Sequence, residues 1–407
     1  MSGNPSTRVP SGKVAFVTGA NGISGHAIVE HLIRTPESDW CKIIVTSRRP
    51  LESSWVDPRV EFVAIDFLKP AEIIVDQIKT ICKDVTHAYF TSYVHSMDFS
   101  TLAKKNCPLF RNFLDAVDTA CPNLERISLQ TGGKVSDQQD RDSSHILTAR
   151  QHYGMMFREA FTPFHEDMPR YEGPGSESIF YYEQEDDMAR VQKRRNKWHY
   201  NVIRPMGIIG YTPQFNGMNE VVPLAQYFLI CRELGETPKW PGNLRNYHRV
   251  EDQSYAPSIA DLTVWATTQD HCKDEAFNHT NGDFILFKFL WGHLAKYFGV
   301  EVPSYSDMPD RDEPELDLLE WARGKEQVWK SIVEKYGGRA DCFQTGGFAM
   351  LNWGFNPSLD IKTPFMSTVA KARKFGWTRL DDSYDAYCRS FQSYENAGIL
   401  PCSRQFK

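Results

Sequence analysis

The chain has 407 residues, with 46 basic against 52 acidic side chains and a formal net charge of −6. With 41% hydrophobic and 24% charged residues, it has an ordinary globular composition and is long enough for two domains or one large α/β domain with additions. A mildly acidic chain without basic blocks argues against sequence-independent nucleic-acid binding, and no apolar run reaches the roughly 18–20 residues of a membrane span.

The start, residues 1–12, is polar, carries Pro5 and Pro10 and reads as a frayed tail without the apolar stretch of a signal peptide. Val14-Ala15-Phe16-Val17 then reads as a buried strand. Directly behind it stand Gly19, Gly22 and Gly25, followed by Ile28, Val29, Leu32 and Ile33 at helical spacing. A glycine turn between a strand and a helix lets backbone approach a pyrophosphate, and the helix start offers free N–H groups. The second strand, Ile43–Thr46, runs into Ser47-Arg48-Arg49 where an NAD site usually has an acid. Two guanidiniums suit a 2′-phosphate instead, which predicts NADP(H). A third strand, Val60–Ile65, ends in Asp66-Phe67, a carboxylate and a ring that could flank adenine.

His87–Thr91 and Arg126–Gln130 read as a fourth and a fifth strand, with helical spacing at Leu109, Phe113, Val117 and Ala120 between them. Alternating strands and helices predict an α/β fold, a Rossmann-type doubly wound parallel sheet. Ligands then lie beyond the strand ends, near Ser92, Tyr93, Gln130 and Lys134. We expect residues 13–205 to form this dinucleotide-binding domain. Residues 206–407 should form a mostly helical substrate-binding part interleaved with it. Val221–Cys231 and Leu286–Phe298 are aromatic-rich there; the stripe reads as helix core, from which a subset could line an apolar pocket. The Asp307–Glu315 loop is acidic and reads as solvated surface. Nine scattered cysteines without C-x-x-C predict free thiols and a cytoplasmic setting, and twelve histidines without paired spacing predict no metal site.

The order Gly19-x-x-Gly22-x-x-Gly25, Arg48-Arg49, Asp66 and Gln130-Thr131-Gly132-Gly133-Lys134 resembles the extended short-chain dehydrogenase/reductases. More narrowly it resembles the progesterone 5β-reductase/iridoid synthase-like group. The segments Glu166–Arg170, Phe180-Tyr181-Tyr182-Glu183-Gln184-Glu185-Asp186, Arg204–Gly210, Ala276–Asp283 and Gly324–Trp329 carry the likeness over roughly residues 13–401, and the longer second half looks closest to fungal members. The resemblance implies that Tyr181 and Lys134 are the catalytic pair. A phenol can give a proton or hydrogen bond to an oxygen gaining charge, and a nearby ammonium stabilises that charge. Tyr182 is the rival, since neighbours on a helix point about 100° apart and only one can face the nicotinamide. The resemblance further implies that Gly22, Ile23 and Ser24 contact phosphates, and that Arg48 and Arg49 take the 2′-phosphate. It also sets Asp66 and Phe67 on adenine, and Ser92 and Gln130 along the ribose–nicotinamide path. Ile208, Phe215 and Asn216 should close over the nicotinamide end.

Related proteins act on steroid, terpenoid and other enone or carbonyl compounds. The expected activity is therefore NADP(H)-dependent oxidoreduction of a small apolar carbonyl or alcohol, of terpenoid, meroterpenoid, steroid or polyketide type, in specialised metabolism. The direction and a homodimer stay open. Two alternatives are an NAD-using epimerase or dehydratase on a nucleotide sugar, and a non-catalytic dinucleotide-binding protein.

In the group's pattern, Thr-Gly-x-Lys runs straight into His-Tyr-Gly, whereas here Val135–Gln151 separates Lys134 from His152-Tyr153-Gly154. This polar segment reads as an exposed insertion or as a retained intron in the gene model, since Val-Ser can be GTAAGT, Leu-Thr can contain CTAAC and Gln can be CAG. Sequencing the transcript separates the two. Messages that skip these codons establish the intron; messages that nearly all contain them remove it.

Overall fold

The computed structural model describes residues 12–52, 55–96, 101–132, 162–174, 176–214, 219–303, 314–355 and 366–403. The strands are β1 (Lys13–Thr18), β2 (Trp40–Ser47), β3 (Val60–Ala64), β4 (His87–Phe90), β5 (Arg126–Gln130), β6 (His199–Pro205), β7 (Gly207–Ile209), β8 (Val250–Glu251), β9 (Gln253–Tyr255), β10 (Glu275–His279) and β11 (Ile285–Leu286). Helices of the first half are α1 (Ile23–Ile33), α2 (Ala71–Ile78), α3 (Leu102–Ala120) and α4 (Phe180–Arg195). The second half adds α5 (Val221–Leu234), α6 (Leu244–His248), α7 (Ala256–Thr268), α8 (Phe287–Tyr297), α9 (Leu318–Ala322), α10 (Glu326–Tyr336), α11 (Thr345–Phe355), α12 (Ala370–Lys374) and α13 (Ser383–Asn396).

Seven parallel strands form one sheet in the order β10-β6-β5-β4-β1-β2-β3. This is the expected Rossmann-type fold, with β10 supplied by the second half. The order reverses between β1 and β4, and that crevice is where ligands bind in such sheets. Near-continuous apolar runs follow from burial on both faces. Val14, Ala15, Phe16 and Val17 are almost wholly buried, and so are Ile43, Ile44 and Val45. Phe16 and Ile44 pack on the side of α2, α3 and α4, while Ala15, Val17, Ile43 and Val45 pack on the side of α1 and α7.

Helix α3 starts earlier than its apolar spacing suggests, because it runs through Pro108 and buries Leu102, Asn106 and Cys107 ahead of it. The second half has its own aromatic core. Phe228 lies 4.7 Å from Trp291, Trp240 lies 5.1 Å from Trp291 and Phe298 lies 4.9 Å from Phe391, all as ring centroids. The aromatic stripe of α5 and α8 is therefore spent mainly on packing. None of the nine cysteines forms a disulfide. Among the described residues no helix is long and apolar enough to cross a membrane.

Three interior histidines make the fold acid-sensitive. Burial lowers the pKa of His26 to about 4, and that of His87 and His279 to about 3. Their folded values lie below the ordinary 6.5, so the unfolded chain takes up protons first as pH falls. Their contribution is complete above pH 6.5 and drains between 6.5 and the folded values, by up to about 1.4 kcal/mol per pH unit for each ring. Urea unfolding at pH 7 and pH 5 should differ by about 2 kcal/mol per ring. Equal unfolding free energies at the two pH values would contradict this.

Candidate functional site

The site is built on the carboxyl ends of the parallel strands. At the switch point Thr91 Oγ1 donates to Thr18 O at 2.6 Å and Thr91 N–H donates to Thr18 Oγ1 at 3.1 Å, which locks β4 to β1. Gly19 follows with φ of 67°, a left-handed conformation that favours glycine. Gly25 lies so close beneath it that a Cβ there would stand 2.3 Å from Gly19 O. These glycines hold the turn against the start of α1. Nothing among the described residues accepts from the N–H groups of Ile23, Ser24 and Gly25. A helix start with open donors and no side-chain cap fits a phosphate group.

Asn21 was not singled out by the motif, yet it fastens the turn to the next strand. Its Nδ2 donates to Ser47 Oγ at 3.1 Å and to Pro50 O at 2.9 Å, and its Oδ1 accepts from Glu52 N–H at 3.2 Å. Only its amide chemistry could have signalled this. Asn21 thus holds the segment carrying Arg48 and Arg49 beside the glycine turn. Both arginines are exposed, and neither guanidinium has an ion-pair or hydrogen-bond partner among the described residues. The two charges remain available to an anion at the β2 end.

Asp66 is half-buried, and its Oδ1 accepts from Leu68 N–H at 3.0 Å. Phe67 departs from the expectation that its ring flanks adenine. It is 3% exposed and packs edge-on to Phe16 and Phe113 at 6.4 and 5.5 Å, so its ring belongs to the core. Ser92 is half-buried just after β4. Gln130 Nε2 donates to Ser24 Oγ at 2.7 Å, joining the β5 end to α1, while Gln130 Oε1 is buried without a partner among the described residues. Ile208 is half-buried in β7, and the site of a Gly210 Cβ would lie 3.5 Å from the Ile23 side chain. The β6–β7 turn therefore meets the glycine turn. Thr212 Oγ1 reinforces that meeting by donating to Asn21 O at 3.0 Å. Lys134, Phe215 and Asn216 lie outside the described residues, as do Val135–Gln151 and residues 1–11.

The two candidate phenols face different ways. A Cβ on Gly132, just past β5, would stand 3.3 Å from Tyr181 Oη. Tyr181 Oη has no hydrogen-bond partner among the described residues, and burial, with a smaller contribution from Tyr93, raises the phenol above its ordinary range. A raised pKa keeps the proton on at neutral pH, so this hydroxyl is a donor. Tyr182 Oη instead accepts from Tyr171 N–H at 2.9 Å, and Arg170 lies over its ring at 4.8 Å.

Charges on α4 set that orientation. Glu185, one helical turn after Tyr181, sits between Arg204 of β6 at 3.2 Å and Arg170 at 3.3 Å. The Arg204 and Glu185 side chains are 7% and 11% exposed. Asp186, one turn after Tyr182, takes Arg170 at 2.7 Å. On the other flank Arg111 of α3 bonds Asp187 at 2.8 Å and Glu183 at 2.6 Å. Three separate sequence motifs thus meet in one ion-pair group, buried at Glu185 and Arg204 and exposed at Asp186. Glu166 Oε1 adds a fourth by accepting Asn278 N–H of β10 at 2.7 Å.

A family model described as a PRISE-like Rossmann-fold domain matches residues 15–401. The short chain dehydrogenase gsfE of Penicillium aethiopicum is 40% identical, with 96% of this chain and 99% of that protein covered. An (S)-8-oxocitronellyl enol synthase of Nepeta racemosa is 28% identical, covering 95% and 93%. The 3-oxo-Delta(4,5)-steroid 5-beta-reductase of Arabidopsis thaliana is 27% identical, again covering 95% and 93%. Among solved structures, the Bordetella bronchiseptica enzyme WbmH in complex with NAD+ superposes with a TM-score of 0.60 at 15% identity, covering 95% of this chain and all of that one. The last likeness concerns the fold.

Removing one member of the ion-pair group separates buried from exposed charge. Glu185→Ala leaves Arg204 buried without its carboxylate and should cost about 3–5 kcal/mol in urea unfolding. Asp186→Ala, at the exposed rim, should cost less than about 1 kcal/mol. Equal losses would contradict the assignment of Glu185 as the clamp.

Proposed function

The chain belongs to the PRISE-like Rossmann-fold family, and on that premise we propose that it is an NADP(H)-dependent reductase of a ketone or enone in a bulky apolar compound. The observation that carries this is the Tyr181 hydroxyl, which has no hydrogen-bond partner among the described residues and lies beside Gly132 at the β5 end. When bound, NADPH supplies the hydride. Open N–H groups at the start of α1 hold the pyrophosphate, and Arg48 and Arg49 bind the 2′-phosphate. Asp66 lies at the adenine end, and Gln130, Ser92 and Ile208 line the path to the nicotinamide. Tyr181 gives its proton to the substrate oxygen as that oxygen gains charge. Lys134, two residues beyond Gly132, is the electrostatic partner that stabilises the resulting phenolate. Support for the substrate class comes from the relatives, whose names include a steroid 5-beta-reductase and an 8-oxocitronellyl enol synthase. Specialised metabolism of terpenoid, meroterpenoid, steroid-like or polyketide compounds is the setting we favour.

The NAD-using epimerase reading draws on the fold neighbours that hold NAD+. The paired arginines at the β2 end argue against it. In a thermal shift, NADPH should raise the melting temperature well above the NADH value. Replacing both Arg48 and Arg49 by Ala should erase that difference. Equal stabilisation of the wild type by both cofactors would refute the NADP(H) assignment. In a panel of ketones and enones scored by NADPH consumption, Tyr181→Phe should lower turnover by about 10²–10⁴-fold yet retain NADPH binding. Tyr182→Phe should retain turnover. The reverse pattern would assign the chemistry to the other ring, and a panel without any consumed compound would sink the reductase reading.

A further inference from the structure

Tyr93 follows β4 and lies on the same side of the site as Tyr181. Its ring stacks on Phe180 at 6.4 Å, and Phe180 in turn contacts the Tyr181 ring at 4.4 Å. The three rings form a continuous row across the β4 and β5 ends. Neither phenol hydroxyl has a hydrogen-bond partner among the described residues. Tyr93 is 42% exposed, so its outer side is open to a ligand, and desolvation of the hydroxyl raises its pKa to about 12.

The position of Tyr93 is fixed by an amide. Buried Asn106 of α3 accepts from Val94 N–H through Oδ1 at 2.9 Å and donates to Val94 O through Nδ2 at 3.1 Å. The backbone next to Tyr93 is thereby pinned on both its polar groups. Gln184 of α4 donates to Asn106 O at 2.9 Å, which ties this clamp to the helix that carries Tyr181. One connected set of bonds therefore sets the separation of the two phenols. A surface tyrosine that only covers Phe180 would need no such fixing of its backbone.

We propose that Tyr93 is a second hydrogen-bond donor to the substrate oxygen, acting with Tyr181 as a two-phenol oxyanion site. The proposal rests on the reductase reading given above. In that step the carbon gains the hydride with its electron pair and the C=O π electrons move onto oxygen. That oxygen takes the proton of Tyr181. Tyr93 keeps its own proton and shares it in a hydrogen bond. Two donors on one oxygen favour the charged form over the neutral carbonyl, which is the discrimination catalysis requires. Asn106 is a positioning residue in this scheme.

The test uses Tyr93→Phe, which keeps the ring row and removes only the hydroxyl, in the full chain with cofactor. With the compound that the wild type reduces fastest in the panel, kcat should fall about 100-fold while NADPH affinity is unchanged. The second readout is the absorbance titration of 4-nitrophenol bound to the NADP+ complex, the phenolate standing in for the reduced oxygen. Wild type should lower the ionisation pH of the bound probe below its value in water. Tyr93→Phe should return about one pH unit of that shift. Tyr93→Phe with wild-type kcat and an unaltered probe titration, alongside an inactive Tyr181→Phe, would overturn the proposal and leave the reductase reading standing. A wild-type complex that leaves the probe titrating as in water would also overturn it. Full activity in Tyr181→Phe would overturn both.

Discussion

The rotation of one helix about its own axis decides which of two adjacent phenols faces the β5 end, and a largely buried carboxylate between two guanidiniums sets that rotation. Glu185 meets Arg204 from β6 and Arg170 from the turn before α4. Burying such charges costs several kcal/mol, which their attraction largely offsets, so the group contributes little net stability. What it contributes is direction. Tyr181 lies one turn before Glu185, and Tyr182 lies one turn before Asp186. Fixing the two acids fixes which phenol faces Gly132 and which faces Tyr171. Arg111 on the opposite flank removes the remaining freedom by holding Glu183 and Asp187.

The sheet supplies the second half of the site. Its order reverses between β1 and β4, and the Thr18–Thr91 bonds close that crevice at its floor. Asn21 gathers the β2 end, and Thr212 gathers the chain after β7, onto the same glycine turn. The hydroxyl of Tyr394, on α13, accepts from Thr212 N–H at 3.0 Å and from Asn219 Nδ2 at 2.7 Å. The far C-terminal helix is thus coupled to the dinucleotide turn through two residues. The second half thus supports the glycine turn.

The strands β1 to β5 were legible because buried parallel strands are written as short apolar, β-branched runs followed by turn residues. The last sheet strand, β10, was not. Its sequence Glu-Ala-Phe-Asn-His is largely polar, and Asn278 is satisfied by tertiary partners, its N–H by Glu166 and its side chain by Phe164 O. The early start of α3 was hidden by Pro108, which normally argues against helix interior. Within the site, the glycine turn between β1 and α1 was readable from type and spacing. Phe67 was misread, because a ring after a strand looks the same whether it faces a ligand or the core. The choice between adjacent tyrosines depended on resemblance. Its physical cause, the Glu185 clamp, joins residues 15 and 19 positions apart and has no local signature. Tyr227 and Phe228 of α5 and Phe287 and Trp291 of α8 lie in the core, as their spacing suggests, whereas Phe289 of α8 is exposed.

We propose that this clamped helix presents Tyr181, and not Tyr182, to the reacting end of an NADP cofactor whose 2′-phosphate lies on Arg48 and Arg49. A crystal structure of the NADP+ complex measures this directly. The nicotinamide ring should lie beside Tyr181 Oη, with room for a substrate oxygen at about 2.6–3.2 Å from that hydroxyl. A cofactor lying with its nicotinamide remote from Tyr181, or with its 2′-phosphate clear of both arginines, would contradict it.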